Sequence, residues 1–253
     1  MKNVIAIILA AGKGTRMKSD LPKVFHKLAG RPMLNYVLDT VEKLKVDKIY
    51  VVVGHQAERV IENYKNRSLT FVEQEPQLGT GHAVMQVEPH LKDFEGAVLI
   101  LSGDTPLLTA ETVNKLIETH FRFKATATIL TAELLEPGYY GRIIHNPEGE
   151  VGKIVEAKDA TSDELKIGEI NTGTYCFQAK ALCAALKKIK PENVQQEYYL
   201  TDVIGILKSQ GEKVYAYKTS DPDETIGINT QEELVRAEKI LLSRKTSFNT
   251  STN

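Results

Sequence analysis

Several stretches of the chain bring together residue types that could do chemistry. The first is Leu9-Ala10-Ala11-Gly12-Lys13-Gly14-Thr15-Arg16-Met17. Gly12 and Gly14 carry no side chains, so backbone N–H groups there can approach phosphate oxygens closely. Lys13, Arg16, Lys18 and Lys23 add several cations beside those amides. Such a loop can hold a polyphosphate and neutralise a departing pyrophosphate. Two better-known phosphate loops fail on spacing. The GxxxxGK[ST] string is absent, and a GxGxxG loop breaks at Met17. The acidic residue such a loop also needs would be Asp39, which falls in a helical stretch. A plain glycine turn is the alternative reading.

Asp104 follows the apolar run Val98-Leu99-Ile100-Leu101, where open α/β sheets place their ligands. Its carboxylate could serve a hard cation or begin a helix or turn. Asn229 offers the same choice, an N-cap or a side-chain carbonyl for a metal. Gln74 carries both a donor and an acceptor, which suits the edge of a pyrimidine. Gly79, next to Thr80, lets backbone come close to a flat ring, although this stretch also reads as a loop starting a helix. His82 reads as a helix or loop residue rather than a catalyst. Taken alone, Glu156-Ala157-Lys158-Asp159 is a solvated charge run, and Tyr198-Tyr199-Leu200-Thr201-Asp202 is an aromatic helix start.

These residues must be positioned by alternating strands and helices. Val4–Leu9, Lys48–Val53, Leu69–Val72, Ala97–Ser102 and Ala125–Thr131 read as strands. Val4-Ile5-Ala6-Ile7-Ile8-Leu9 lacks the alternation of a half-exposed strand, which fits burial on both faces. Met33, Tyr36, Val37, Val41 and Leu44 recur at helical spacing, as do Val113, Leu116, Ile117 and His120 after Thr109. The alternation implies βαβ units and a mostly parallel sheet. In the second half, Arg142–His145 and Val151–Glu156 flank Asn146-Pro147-Glu148-Gly149 and read as a hairpin. Strands at Gly168–Phe177 and Val214–Tyr217, and helices at Ala179–Lys187, Leu200–Ser209 and Gln231–Arg244, complete the expectation. The polar tail Lys245–Asn253 is expected to fray. One domain with a mixed sheet fits better than two.

The 253 residues hold 32 Lys+Arg and 33 Asp+Glu, a net charge of -1, which argues against a dedicated nucleic-acid binder. Cys176 and Cys183 form neither a disulfide framework nor a CxxC metal pair. The histidines make no HExxH string. The apolar run Val4–Ala11 is too short to span a bilayer and leads straight into the glycine loop, so it reads as a first strand rather than a leader. The expected setting is a reducing cytoplasm, with no membrane partner.

The glycine loop, followed by Leu21-Pro22-Lys23, resembles the signature of sugar-phosphate nucleotidyltransferases. The closer resemblance is to the uridylyltransferase domain of the bacterial bifunctional N-acetylglucosamine-1-phosphate uridylyltransferase family. It extends in order through Gln74-Glu75-Pro76-Gln77-Leu78-Gly79-Thr80-Gly81-His82-Ala83, Ser102-Gly103-Asp104-Thr105-Pro106-Leu107, Gly138-Tyr139-Tyr140-Gly141-Arg142-Ile143, Ile154-Val155-Glu156-Ala157-Lys158-Asp159, Ile170-Asn171-Thr172-Gly173 and Gly227-Ile228-Asn229. Together these cover Val4 to Arg244.

The resemblance implies a Rossmann-like, GT-A-like α/β fold of the nucleotide-diphospho-sugar transferase type, with a β-hairpin sugar-binding insertion. Its domain would span residues 1–229, with a C-terminal helix and polar tail over 230–253. It implies that Leu9, Ala10, Ala11, Gly12, Gly14, Gln74, Gly79, Thr80, Ser102 and Gly103 bind the nucleotide. Arg16 and Lys23 would be catalytic, and Asp104 and Asn229 would hold Mg²⁺. Gly141, Glu156, Asn171, Tyr198 and Thr201 would bind the sugar. The implied reaction joins UTP to N-acetylglucosamine 1-phosphate, a step in the supply of cell-wall and lipopolysaccharide precursors. The alternatives are a glucose-1-phosphate uridylyl- or thymidylyltransferase, a cytidylyltransferase, or a non-catalytic nucleotide-sugar sensor. Tyr140 lengthens its loop relative to the family pattern. No hexapeptide repeat follows, so acetyltransferase activity is not expected and β-helix trimerisation has no support.

Overall fold

The computed structural model describes residues 3–250, with side chains through Arg244. In chain order the strands are β1 (Val4–Leu9), β2 (Lys27–Leu28), β3 (Arg31–Pro32), β4 (Lys48–Val53), β5 (Thr70–Glu73), β6 (Ala97–Ser102), β7 (Ala127–Glu133), β8 (Arg142–His145), β9 (Val151–Val155), β10 (Glu169–Gln178) and β11 (Val214–Lys218). The helices are α1 (Met33–Lys43), α2 (Ala57–Tyr64), α3 (Thr80–Met85), α4 (Ala110–Arg122), α5 (Ala179–Leu186), α6 (Asp202–Ser209) and α7 (Gln231–Thr250). Short 3₁₀ turns at Thr15–Met17 and Lys23–Phe25 lie between β1 and β2.

The large sheet runs β11-β7-β10-β6-β1-β4-β5, and the β8–β9 hairpin is attached to β10. β1 pairs parallel with both β4 and β6, β4 with β5, and β11 with β7. β10 is antiparallel to both of its long neighbours. The sheet is thus mixed and mostly parallel.

Burial on both faces explains the missing alternation in β1. Ile5 and Ile7 enter one core with Val98, Ile100, Leu182 and Ile204. Val4, Ala6 and Ile8 enter the other with Leu34, Leu38, Leu99 and Leu116. Both faces are apolar, so every position is apolar. A third, smaller cluster joins Leu28, Met33, Leu107, Ile228 and Ala237, tying α7 to the body.

The register aligns the strand ends that matter. Leu9 stands opposite both Val52 and Ser102, so the segments beginning at Ala10, Gly54 and Gly103 leave the sheet side by side. β10 runs the other way, and Tyr175 opposite Ile100 brings its beginning, near Asn171, to that same end. Expected boundaries move slightly. β5 and β10 begin one residue late, β7 begins at Ala127, and β9 stops at Val155. α7 runs to Thr250, past the Lys245 at which the polar tail is expected to begin; residues 251–253 lie outside the described residues. α2 has no counterpart among the expected helices.

Candidate active site

The glycine loop, the Gln74 segment and the Asp104 turn line one cleft of about 570 Å³. Leu9, Ala10, Ala11, Gly12, Gly14, Arg16, Lys23, Gln74, Gly79, Thr80, Ser102 and Asp104 all face it. Gly103 instead lies buried behind it, donating its N–H to the Leu9 carbonyl at 2.9 Å. Gly14 has φ +64, and a Cβ there would stand 2.7 Å from Lys23 Cβ. The absent side chain therefore lets Lys23 lie against the loop. Gly79 has φ +105, and a Cβ there would meet the Tyr198 carbonyl at 2.7 Å.

Lys23 Nζ donates to Asp104 Oδ2 and, at 2.6 Å, to Asn229 Oδ1. Arg16 donates to the same Asn229 oxygen at 2.8 Å. Two cations, a carboxylate and an amide from three distant parts of the chain thus form one knot. Asn229 does not cap α7. Thr230 takes that place, receiving Glu233 N–H at 3.2 Å, while Glu233 Oε2 reaches back to the N–H groups of Thr230 (3.0 Å) and Asn229 (2.6 Å). This capping box leaves the Asn229 side chain for the cleft. Its Nδ2 donates to the Gly227 carbonyl at 3.0 Å, which turns Oδ1 toward the cations. Ile228 N–H donates to the Asp104 carbonyl at 2.9 Å and docks this loop on the Asp104 turn.

The donor set fits a hard divalent cation. Asp104 Oδ2 and Asn229 Oδ1 already converge on a single positive centre, the Lys23 ammonium. Both are oxygen donors, and Mg²⁺ takes one or two protein oxygens beside substrate phosphates. Among the described residues no three His, Cys, Asp or Glu side chains form a metal cage.

A second group lies where β10 meets the hairpin. Thr201 Oγ1 donates to Glu156 Oε1 at 3.0 Å. Asn171 N–H donates to the Gly141 carbonyl at 2.8 Å, and a Cβ on Gly141 would be 3.5 Å from Glu156 Oε2. Burial pushes the Glu156 carboxyl up, and the charges of Asp159, Asp202 and Glu197 add to the rise against the Thr201 hydrogen bond. Tyr198 stands elsewhere. Its backbone bonds Leu78 and Gly81, and its ring lies 6.1 Å from that of His82. The two groups adjoin through Gly173, whose Cβ would meet Ser102 Oγ at 3.1 Å.

Sequence reasoning missed the residues that fasten these groups together. Tyr140 receives the Gly227 N–H at 2.9 Å, and burial raises its phenol pKa. Arg142, 2% exposed, donates to the carbonyls of Tyr140 and Gly138 and pins their loop. The Tyr139 ring lies 4.9 Å from the Arg16 guanidinium. The extra tyrosine in the loop was the available signal for Tyr140. The Thr230-x-x-Glu233 spacing was the signal for the cap.

Residues 6–148 match the model of the MobA-like NTP transferase domain. The chain is 51% identical over 244 residues to the bifunctional protein GlmU of Halalkalibacterium halodurans, covering 96% of this chain and 53% of that protein. It is 53% identical over 244 residues to the bifunctional protein GlmU of Bacillus cereus, with the same two coverages of 96% and 53%. The chain therefore spans about half the length of these curated relatives. A crystal structure of UDP-glucose pyrophosphorylase complexed with UDP-glucose superposes with a TM-score of 0.76 at 18% identity, over 96% of this chain and 100% of that one. That likeness shows the fold, a GT-A-like arrangement of sheet and helices.

Proposed function

This chain belongs to the MobA-like NTP transferase domain family, and we propose that it joins UTP to N-acetylglucosamine 1-phosphate, giving UDP-N-acetylglucosamine and pyrophosphate. Membership suggests small-molecule substrates and a divalent metal. The finer reading takes that metal as Mg²⁺, held by Asp104 and Asn229. When bound there it would supply positive charge to the phosphates.

A sugar-phosphate oxygen, ionised near neutral pH, attacks the α-phosphorus of UTP. The new P–O bond forms as the bond from the α-phosphorus to the bridging oxygen breaks, and pyrophosphate leaves with that electron pair. No proton has to move, so no general base is needed. What remains for the protein is to align two anions that repel each other and to neutralise their charge. Gly12 and Gly14 let loop amides meet the triphosphate. Arg16 neutralises the leaving pyrophosphate, and Lys23 serves the α-phosphate or the sugar phosphate. Gln74, Gly79 and Thr80 meet the base. Gly141, Glu156, Asn171 and Thr201 read the sugar's hydroxyl and acetamido groups; Tyr198, packed beside His82, stands apart from them.

One observation carries this reading. Arg16, Lys23 and Asp104 bond into one knot with Asn229, which lies 213 residues from Arg16, at the mouth of a glycine-lined cleft. The test is pyrophosphate release from UTP, dTTP and CTP with Mg²⁺ and a panel of sugar 1-phosphates. Fastest turnover is expected for UTP with N-acetylglucosamine 1-phosphate. Faster turnover with glucose 1-phosphate or dTTP would replace it with a sister activity. No pyrophosphate from any pair would favour a nucleotide-sugar sensor.

A further inference from the structure

Gln74 is 4% exposed, and its amide is held from behind. Its Nε2 lies 2.9 Å from the Gly79 carbonyl oxygen and 3.2 Å from His82 Nδ1. A carbonyl oxygen only accepts, so the amide end facing Gly79 must be the NH₂. The second Nε2 proton then meets His82 Nδ1, which must carry a bare lone pair to receive it. Burial pushes the His82 pKa down and favours the neutral ring this requires. The ring proton sits on Nε2, 3.1 Å from the Gln86 amide. It is the Gln86 Nε2 that lies there, also donating to the His82 carbonyl at 3.1 Å; the half-buried amide has to turn away from that carbonyl, which keeps the Gln86 backbone N–H at 3.3 Å, to give the ring N–H an acceptor. The ring is itself backed by Tyr198 at 6.1 Å.

With both Nε2 protons engaged, Gln74 has only Oε1 left to offer a ligand. We propose that His82 is a positioning residue that locks the Gln74 amide oxygen toward the cleft and so selects uracil over cytosine. At the ring nitrogen between its two carbonyls uracil presents an N–H, whereas the matching nitrogen of cytosine presents a lone pair. A fixed oxygen attracts the first and repels the second. Without His82 one hydrogen bond, rather than two, opposes a turn of the amide. The inference rests on the reading of Gln74 as the base-recognising residue.

The experiment compares kcat/KM for UTP and CTP in the wild type and in His82→Leu, His82→Ala and His82→Asn, with a thermal melt for each. The Leu and Ala variants lack the acceptor, and the smaller one is read should the larger not fold. Both are expected to lower the UTP:CTP ratio by at least about tenfold. His82→Asn can place Oδ1 near the former Nδ1 and is expected to recover most of the ratio. A wild-type ratio in a folded acceptor-free variant overturns the proposal, as does an Asn variant no better than Ala. Gln74→Ala separates the two levels. If it too leaves the ratio unchanged, the base reading itself is wrong. If it collapses the ratio while the His82 variants do not, only the role of His82 falls.

Discussion

Arg16 and Asp104 are joined only through two intermediaries: Arg16 donates to Asn229, Asp104 accepts from Lys23, and Lys23 also donates to Asn229. Removing either should leave the fold intact, because neither side chain belongs to an apolar cluster. Arg16→Ala is expected to slow pyrophosphate release about 100-fold or more, by analogy with a lost oxyanion donor, and Asp104→Asn to slow it by removing a carboxylate charge suited to a hard cation. Near-normal turnover with an unchanged melting curve would remove that residue from the mechanism. His120 gives a prediction about stability. It is 3% exposed, bonds Thr128 at 3.1 Å, and burial pushes its pKa from 6.5 down to about 4. As pH falls below 6.5 the unfolded chain takes up a proton that the folded chain refuses. The His120 contribution to stability should hold steady above pH 6.5, fall toward pH 4 by about 3 kcal/mol, and then level off. Urea unfolding across this range, repeated on His120→Gln, should show that component vanish. At this scale the residue types were legible and the partners were not. Nothing in Gly227-Ile228-Asn229 says that Thr230 and Glu233 take over the cap and leave the amide free.

Among elements, the loop 138–141 links the hairpin to the loop at Gly227–Asn229. Tyr140→Phe keeps the ring and deletes the oxygen that receives the Gly227 N–H. Gly227 in turn holds Asn229 through its carbonyl. The variant should lose about 1 kcal/mol of stability and roughly tenfold in turnover, read by urea titration and pyrophosphate release. Full turnover would show that Asn229 needs no such anchor. Strand cores were readable because β1, β4 and β6 are continuous apolar runs with turn residues after them. The shorter helices were not. α2 buries only Val60 and Tyr64, and α3 has six residues, too few for a periodic stripe. The path of β10 between β6 and β7, against their direction, comes from pairing across the sheet rather than from its own residues.

For the molecule as a whole, α7 is part of the body. Leu234, Ala237, Ile240 and Leu241 cover Leu28, Met33, Leu107 and Ile228, and Glu233 fixes the backbone at Asn229. A chain ending at Thr230 should melt lower and lose most of its turnover, since it loses both the apolar cover and the clamp. Unchanged melting and activity would make the helix dispensable. The hairpin offers the opposite case. β8 meets β10 at one paired position, Arg142 opposite Ile170, while Ile143, Val151 and Ile154 seat it on the core. A segment fastened by so narrow a seam can be exchanged between homologues provided those three seats and the Tyr140 oxygen that receives the Gly227 N–H are kept. On the proposed assignment of the sugar site, acceptor preference would then change hands as a cassette, while the phosphate machinery is inherited untouched.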